Sequence, residues 1–397
     1  MIETVQAWGA ALIGLHQRIG RHFRRVEPRR RALAYLQALI SPCERKNGWQ
    51  LAETIGEATP DGVQRLLNAA RWDADAVRDD LRAYVVEHLA DPNAVLVIDE
   101  TSFRKRGDKS VGVQQQYCGT TREIENCQVA VFLYYATAES SAFIDRALYL
   151  PKSWTQDRDR RAEAGVPDSV PFASKPELAV AMLERAFAAG VAPAWVTADS
   201  LYGHDRHLRS VLRQRHQRYV LAIQSRDVVP RDDFWSLSAK YLAEDFVEAD
   251  WTRLSAGSGT KGPRWFDWAW RELPYATGGQ DEQGWGEWLL VRRNMEDRAD
   301  RTYYVVFAPR TTTLAEVVTI AGMRWHIEVG FETAKGECGL EDYEVRTWDA
   351  WHRHSTLVLL AHAFLAVMRT LSLQKGDHLP MMGSRSPYRR FDASSGA

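Results

Sequence analysis

Three acidic residues sit in surroundings from which carboxylates can do chemistry. Asp99 closes the apolar run Ala94–Ile98 (AVLVI), and Asp199 closes Ala194–Ala198 (AWVTA). Short apolar runs bounded by turn signals read as buried strands. A carboxylate at the carboxyl end of such a strand stands at the sheet edge where α/β folds place their active sites. Two of them on neighbouring strands would converge, and close negative charges repel at low dielectric unless a cation lies between them. All-oxygen ligation favours Mg²⁺ or Mn²⁺. Either aspartate alone could simply cap a loop. The third carboxylate is Glu328, in the stretch MRWHIEVGFETAKG from Met323 to Gly336. Arg324, Glu328 and Lys335 fall at i, i+4 and i+11, near one stripe of a helix, beside an apolar stripe of Met323, Ile327, Phe331 and Ala334. Taken alone, that pattern is a solvated amphipathic surface. Glu100 and Glu332 are alternative acids, but the Arg324/Lys335 spacing favours Glu328.

The elements that must hold these residues follow from pattern. After a change of texture at Asp91-Pro92-Asn93, strands are expected at 94–98, 128–136 and 142–150, a helix at 176–189, a strand at 194–198, a helix at 205–216 and a strand at 218–223. The order β-β-β-α-β-α-β is a mixed α/β layer. Residues 226–300 break the rhythm with Trp235, Trp251, Trp265, Trp268, Trp270, Trp285 and Trp288 and Gly-rich turns at 255–262 and 277–286, and read as a β-rich insertion. A strand at 303–307 precedes helical pattern over 313–340 and a long apolar helix over 351–371. The expected organisation is a helical, helix-turn-helix-like domain over 1–90, a core over 91–225, the insertion over 226–300, the remaining core over 301–372 and a disordered tail over 373–397.

The chain of 397 residues carries 51 basic and 52 acidic side chains, a net charge of −1 that by itself points to no polyanionic partner. Locally the balance differs. Residues 1–46 hold nine basic and three acidic residues, a local +6 that includes Arg29, Arg30 and Arg31. Gly48–Trp72 then pairs two short amphipathic helices around Gly56, the second capped at Thr59, in a helix-turn-helix-like arrangement. Arg104, Lys105, Arg106 and Lys109 make a second basic stripe just after Asp99. The four cysteines (Cys43, Cys118, Cys127, Cys338) form no CxxC pair, which argues against a zinc ribbon. They read as reduced thiols of a cytoplasmic protein. The apolar stretch 357–368 is too short to span a bilayer, so no membrane role is expected. His204 and His207 have helical ligand spacing but lack a third ligand, and His352 and His354 read as a polar surface pair.

Together, the element order, the three acids and Arg-x3-Glu-x6-Lys around Glu328 resemble the RNase H-like fold and YREK signature of bacterial DDE insertion-sequence transposases, closest in texture to the insertion sequence 701 family. The stretches VIDETSFRKRGDKSVGVQQQYCGT, LYLPKSW and ADSLYG support the resemblance, which covers roughly residues 20–370. It implies that Asp99, Asp199 and Glu328 hold two Mg²⁺ ions, with Mn²⁺ as a substitute, for strand cleavage and transfer by cut-and-paste transposition. Arg324, Lys335, Arg104, Lys105, Arg106, Lys109 and the Arg29–Arg31 run would contact DNA. Partners would be double-stranded DNA, as terminal inverted repeats and target, and a second protomer in a homodimer on paired ends, nucleoid-associated in the cytoplasm. The signature's tyrosine position is Ala321 here, so its phosphate contact is missing or comes from Tyr117, Tyr202 or another residue. An insertion tryptophan could stack on a flipped base, although most should be core. The alternatives are a catalytically inactive, transposase-derived DNA-binding protein and a small-molecule hydrolase built on paired carboxylates.

Overall fold

Helical periodicity gives way to short apolar runs near residue 94, and the backbone changes with it. The computed structural model describes residues 2–232, 235–259, 262–274 and 284–374. Helices α1 (Ile2–Ile19), α2 (Val26–Leu39), α3 (Gly48–Thr54), α4 (Asp61–Asn68) and α5 (Ala74–His88) come first. Asn47 and Asp73 start α3 and α5 by accepting first-turn N–H groups on their side chains. Gly56 makes the turn between α3 and α4 at a φ of 78°. The cap expected at Thr59 is not made. Helix α4 begins behind Pro60, and the Thr59 hydroxyl donates to the Asp61 carboxylate instead (3.0 Å).

The strands then follow: β1 (Val95–Arg104), β2 (Gln114–Cys118), β3 (Glu123–Ala136) and β4 (Ser141–Leu148). Next come α6 (Lys152–Thr155), α7 (Arg158–Glu163), α8 (Lys175–Ala188), β5 (Trp195–Ala198), α9 (Ser200–Gly203), α10 (Arg206–Gln214) and β6 (Tyr219–Ile223). The Trp-rich region supplies β7 (Val228–Pro230), β8 (Ser236–Ser238), α11 (Ala239–Leu242), β9 (Thr252–Gly259), β10 (Gly262–Leu273) and β11 (Trp285–Arg293). The chain closes with β12 (Arg301–Pro309), α12 (Leu314–Met323), α13 (Trp325–Cys338) and α14 (Trp348–Gln374). Two features depart from expectation. Strand β1 continues five residues beyond Asp99, and β2, whose sequence QQQYC is polar, forms an unforeseen strand against β3. The expected tail falls, from residue 375, outside the described residues, as does most of the Gly-rich stretch 277–286.

The chain folds into two compact units. One comprises residues 1–90, 100–174 and 328 onward; the other comprises 91–99 and 175–327. The second unit is built on a mixed sheet of order β1-β5-β6-β12-β11-β10-β9. Strands β1, β5 and β6 are parallel, and β12, β11, β10 and β9 continue antiparallel from β6. The tryptophan-rich strands therefore extend this sheet through β12. The parallel strands are apolar on both faces, as doubly covered strands must be. Val95, Leu96, Val97 and Ile98 are wholly buried, and each contributes roughly 1.5–3 kcal/mol. Trp268 and Trp288 are core, and Trp270 stacks on Trp288 (5.3 Å). Trp235 and Trp265 stay exposed.

In the first unit, β2, β3 and β4 form an antiparallel layer. Helix α14 lies against β4, α5, α4 and α2. It has 27 residues and is long and apolar enough to cross a membrane, unlike the shorter stretch expected, but 72% of its most apolar window is buried within the protein. It carries His354 and His362, both buried. The reading of His354 as part of a surface pair is thus overturned: its Nδ1 bonds the Tyr35 hydroxyl (2.8 Å). Burial pushes both imidazoles down to about 3. In the unfolded chain they titrate near 6.5. Their neutral burial therefore stabilises fully above pH 6.5 and loses that contribution as pH falls toward 3, because the unfolded state binds the extra protons. Thermal melts between pH 7 and pH 5 should show stability falling by about 1.4 kcal/mol per pH unit per histidine once well below pH 6.5. His362→Leu should flatten the slope by one such increment; an unchanged slope would contradict this.

Candidate active site

The register of the parallel strands places two of the three acids. Val95, Leu96, Val97 and Ile98 of β1 lie opposite Trp195, Val196, Thr197 and Ala198 of β5. The next residues along the two strands are Asp99 and Asp199, side by side where the parallel pairing of β1 with β5 ends; β5 stops there, whereas β1 runs on to Arg104. Both are half-buried. Asp199 Oδ1 accepts from the Leu201 N–H (2.9 Å) and caps α9. That helix is pressed onto β6: a Cβ at Gly203 would come within 1.8 Å of the Ala222 carbonyl oxygen. Only glycine allows this approach, so the G of ADSLYG fixes the helix that begins at the second aspartate.

Arg324 completes this part of the site. The helical pattern over 313–340 is broken at Arg324, between α12 and α13. Its guanidinium donates to Asp99 Oδ2 (3.2 Å), where the carboxylate is 14% exposed. The position is set by close packing, since a Cβ at Gly322 would lie 2.0 Å from the Ala256 carbonyl oxygen of β9. Arg264 ties the same two elements by donating to the Ala256 and Gly322 carbonyls (2.5 and 3.0 Å).

Glu328 belongs to the first unit and is exposed on α13. The expected apolar stripe docks its helix: Phe331 and Ala334 are buried, and Phe331 packs on Phe132 and Phe143 at 5.3 and 5.1 Å between centroids. Gly330 lies against the Tyr134 ring, which a Cβ would meet at 2.6 Å. Lys335 Nζ approaches the Ser102 carbonyl and Thr120 hydroxyl (3.4 Å each) and pairs with Glu341 (3.1 Å). Glu332 is exposed one turn beyond Glu328.

The basic residues after Asp99 have divergent settings. Arg104 pairs with Glu125 (3.2 Å) and Lys109 with Glu163 (2.8 Å), while Arg106 is exposed. Lys105 is half-buried, with Nζ 3.4 Å from the centre of the Tyr343 ring and donating to the Tyr343 carbonyl (3.1 Å). Burial pushes its ammonium down to about 7. In the N-terminal region Arg29 and Arg30 are exposed, and Arg31 is held by Glu57 (2.9 Å) and Glu27 (3.5 Å). The exposed face of α4 presents Gln64, Arg65 and Asn68. Of the tyrosines considered in place of Ala321, Tyr202 is completely buried and Tyr117 is 61% exposed, so only Tyr117 is open to a phosphate.

Two half-buried carboxylates abreast, one already facing a guanidinium, form a donor set of hard oxygens suited to a divalent cation. Among the described residues of each unit, no group of three or more His, Cys, Asp or Glu side chains is gathered to hold a metal ion.

Residues 18–239, more than half of the chain, match the DDE superfamily endonuclease family, and residues 173–364 match the transposase DDE domain. The chain belongs to the DDE superfamily of endonucleases. It is also similar to the probable transposase for insertion sequence element IS701 of Microchaete diplosiphon. The identity is 26% over 321 residues, covering 79% of this chain and 76% of the relative. The mixed α/β architecture agrees with the RNase H-like core expected from the sequence.

Proposed function

We propose that this protein is the transposase of an insertion sequence, binding the element's terminal inverted repeats and catalysing metal-dependent strand cleavage and strand transfer. The observation that carries the reading is the side-by-side placement of Asp99 and Asp199 in a chain of the DDE family. Endonucleases of this superfamily use divalent metal ions. Asp99, Asp199 and Glu328 would hold two Mg²⁺ ions, which supply a clamp on in-line phosphoryl displacement by activating the attacking oxygen and stabilising the leaving one. The chain's own residues do the positioning. The ladder of β1 on β5 fixes the two carboxylates, and the Leu201 N–H orients Asp199. Arg324 offsets negative charge beside Asp99 and, with Lys335, is assigned to the phosphates flanking the scissile bond. Arg104, Arg106, Lys109, Arg29 and Arg30 are assigned to backbone contacts farther along the duplex, and exposed Trp235 and Trp265 to stacking on an unpaired base. The functional species is a homodimer on paired ends in the cytoplasm, associated with the nucleoid.

The direct test incubates the full chain with duplex carrying the inverted repeats that flank its gene. Nicking at the element's ends should appear with Mg²⁺ or Mn²⁺ and vanish with EDTA. Hydrolysis that persists in EDTA, or specific binding without cleavage in either metal, would overturn the reading.

A further inference from the structure

The carboxyl edge of the parallel strands carries a second feature that the acid triad does not use. Strand β6 is parallel to β5 and ends at Ile223, so the loop that follows lies on the same sheet edge as Asp99 and Asp199. There, His204 at the end of α9, Arg206 and Arg209 of α10, and Arg226 and Asp227 of the loop line a cavity of about 240 Å³. Arg226 also lines an adjoining open depression of about 510 Å³, where Arg301 of β12 is the second cation.

The charge in this cavity is unbalanced. Three arginines line it together with one acidic residue, and that carboxylate is already committed. Asp227 Oδ1 accepts from His204 Nδ1 (2.7 Å) and Oδ2 accepts from the Gln224 N–H (2.8 Å), with the side chain 9% exposed. Asp227 thus fixes the imidazole and leaves Nε2 as its second hydrogen-bonding atom. Among the described residues, Arg206, Arg209 and Arg226 have no acidic partner, and Arg209 Nε is buried with no hydrogen-bond acceptor. Arginines without an acidic partner, around a space that admits a tetrahedral oxyanion, are a phosphate-binding arrangement.

We propose that the His204–Arg206–Arg209–Arg226 cavity binds a backbone phosphate of the DNA strand that passes Asp99 and Asp199, positioning that strand for cleavage. The assignment rests on the reading of the chain as a DNA-processing enzyme. It gives His204 a role as a hydrogen-bonding group held by Asp227, in place of the metal-ligand pairing with His207 that its spacing suggests.

The test measures binding of the full-length chain to a labelled duplex of arbitrary sequence, without divalent metal, over a series of KCl concentrations. Arg209→Gln and Arg226→Gln should each weaken binding and lower the slope of log K against log [salt] by about 1, the loss of one phosphate contact. Arg298→Gln, an exposed arginine of the same unit outside the cavity, should leave the slope unchanged. Thermal melts confirm that the variants are folded. Wild type that binds with an unaltered slope in both cavity variants overturns the cavity assignment alone. Submillimolar binding of inorganic phosphate that the variants abolish, with the DNA slope unmoved, assigns the site to a small free anion and overturns it equally. A wild type that does not bind duplex at low salt overturns the DNA-processing reading itself.

Discussion

Asp99→Asn and Asp199→Asn should each reduce Mg²⁺-dependent strand cleavage at least about 10³-fold, some 4 kcal/mol of barrier. DNA binding measured without metal should be unchanged. Asparagine is the informative replacement because it keeps an oxygen that can accept the Leu201 N–H at the start of α9, where loss of the cap would itself cost about 0.5–2 kcal/mol. The charge is removed while the backbone arrangement is kept. Glu328→Gln should fall in the same class. Glu100→Gln and Glu332→Gln, which remove the alternative acids, should retain cleavage within a few-fold of wild type. Full activity in Asp99→Asn would sink the carboxylate-pair mechanism. A loss in Glu332→Gln with Glu328→Gln intact would move the third acid by one helical turn.

The second large effect is expected at a residue with no side chain. In Gly203→Ala the new methyl would fall 1.8 Å from the Ala222 carbonyl oxygen and 3.1 Å from Leu221 Cβ. The obstacle is the backbone of a fully buried central strand, which cannot yield as a flexible side chain can, so α9 must lift away from β6. A penalty of about 3 kcal/mol is expected from such overpacking, lowering Tm by roughly 6–12 °C. Cleavage should fall further than stability does, because the displaced helix begins at Asp199. Gly14→Ala is the matched control. Nothing lies within 4 Å of the added methyl on α1, and helix propensity predicts a neutral or slightly stabilising change. Equal melting temperatures for Gly203→Ala and wild type would show that the helix–strand contact is looser than described.

How much of this was legible beforehand depends on how local each cause is. The runs AVLVI and AWVTA announce buried strands because both faces must be apolar, and the aspartates that end those runs mark where β1 and β5 stop pairing. Their neighbourhood follows from parallel pairing, which the βαβ order implies. The helical pattern over 313–340 was legible, but the place where it breaks was not: Arg324 divides α12 from α13. Other features have distant causes. Strand β2 is polar, and only pairing with β3 makes it a strand. Strand β1 continues past Asp99 through Glu100, Thr101 and Ser102, residues that advertise a loop. Lys105 looks like one of four equivalent cations, yet Tyr343, far along the chain, takes it up. The displaced cap at Thr59 reflects competition from Asp61, two residues away, which a motif at fixed spacing does not weigh. The arginine-lined cavity was hidden because Arg206, Arg209 and Arg226 come from a helix and a loop on either side of β6.

The division of the chain between its units has a consequence in time. Residues 91–99, which carry the first aspartate, belong to the unit whose other residues are 175–327. The pairing of β1 with β5 must therefore wait for a strand made much later. At about 5–20 residues per second of synthesis, Asp199 leaves the ribosome on the order of 5–20 s after Asp99, and Arg324 and Glu328 later still. During that interval the side of the stretch VLVI that β5 will take stays an open apolar strand edge. The same delay means that the basic N-terminal helices of a nascent or prematurely terminated chain are complete before Asp99 and Asp199 have been brought side by side.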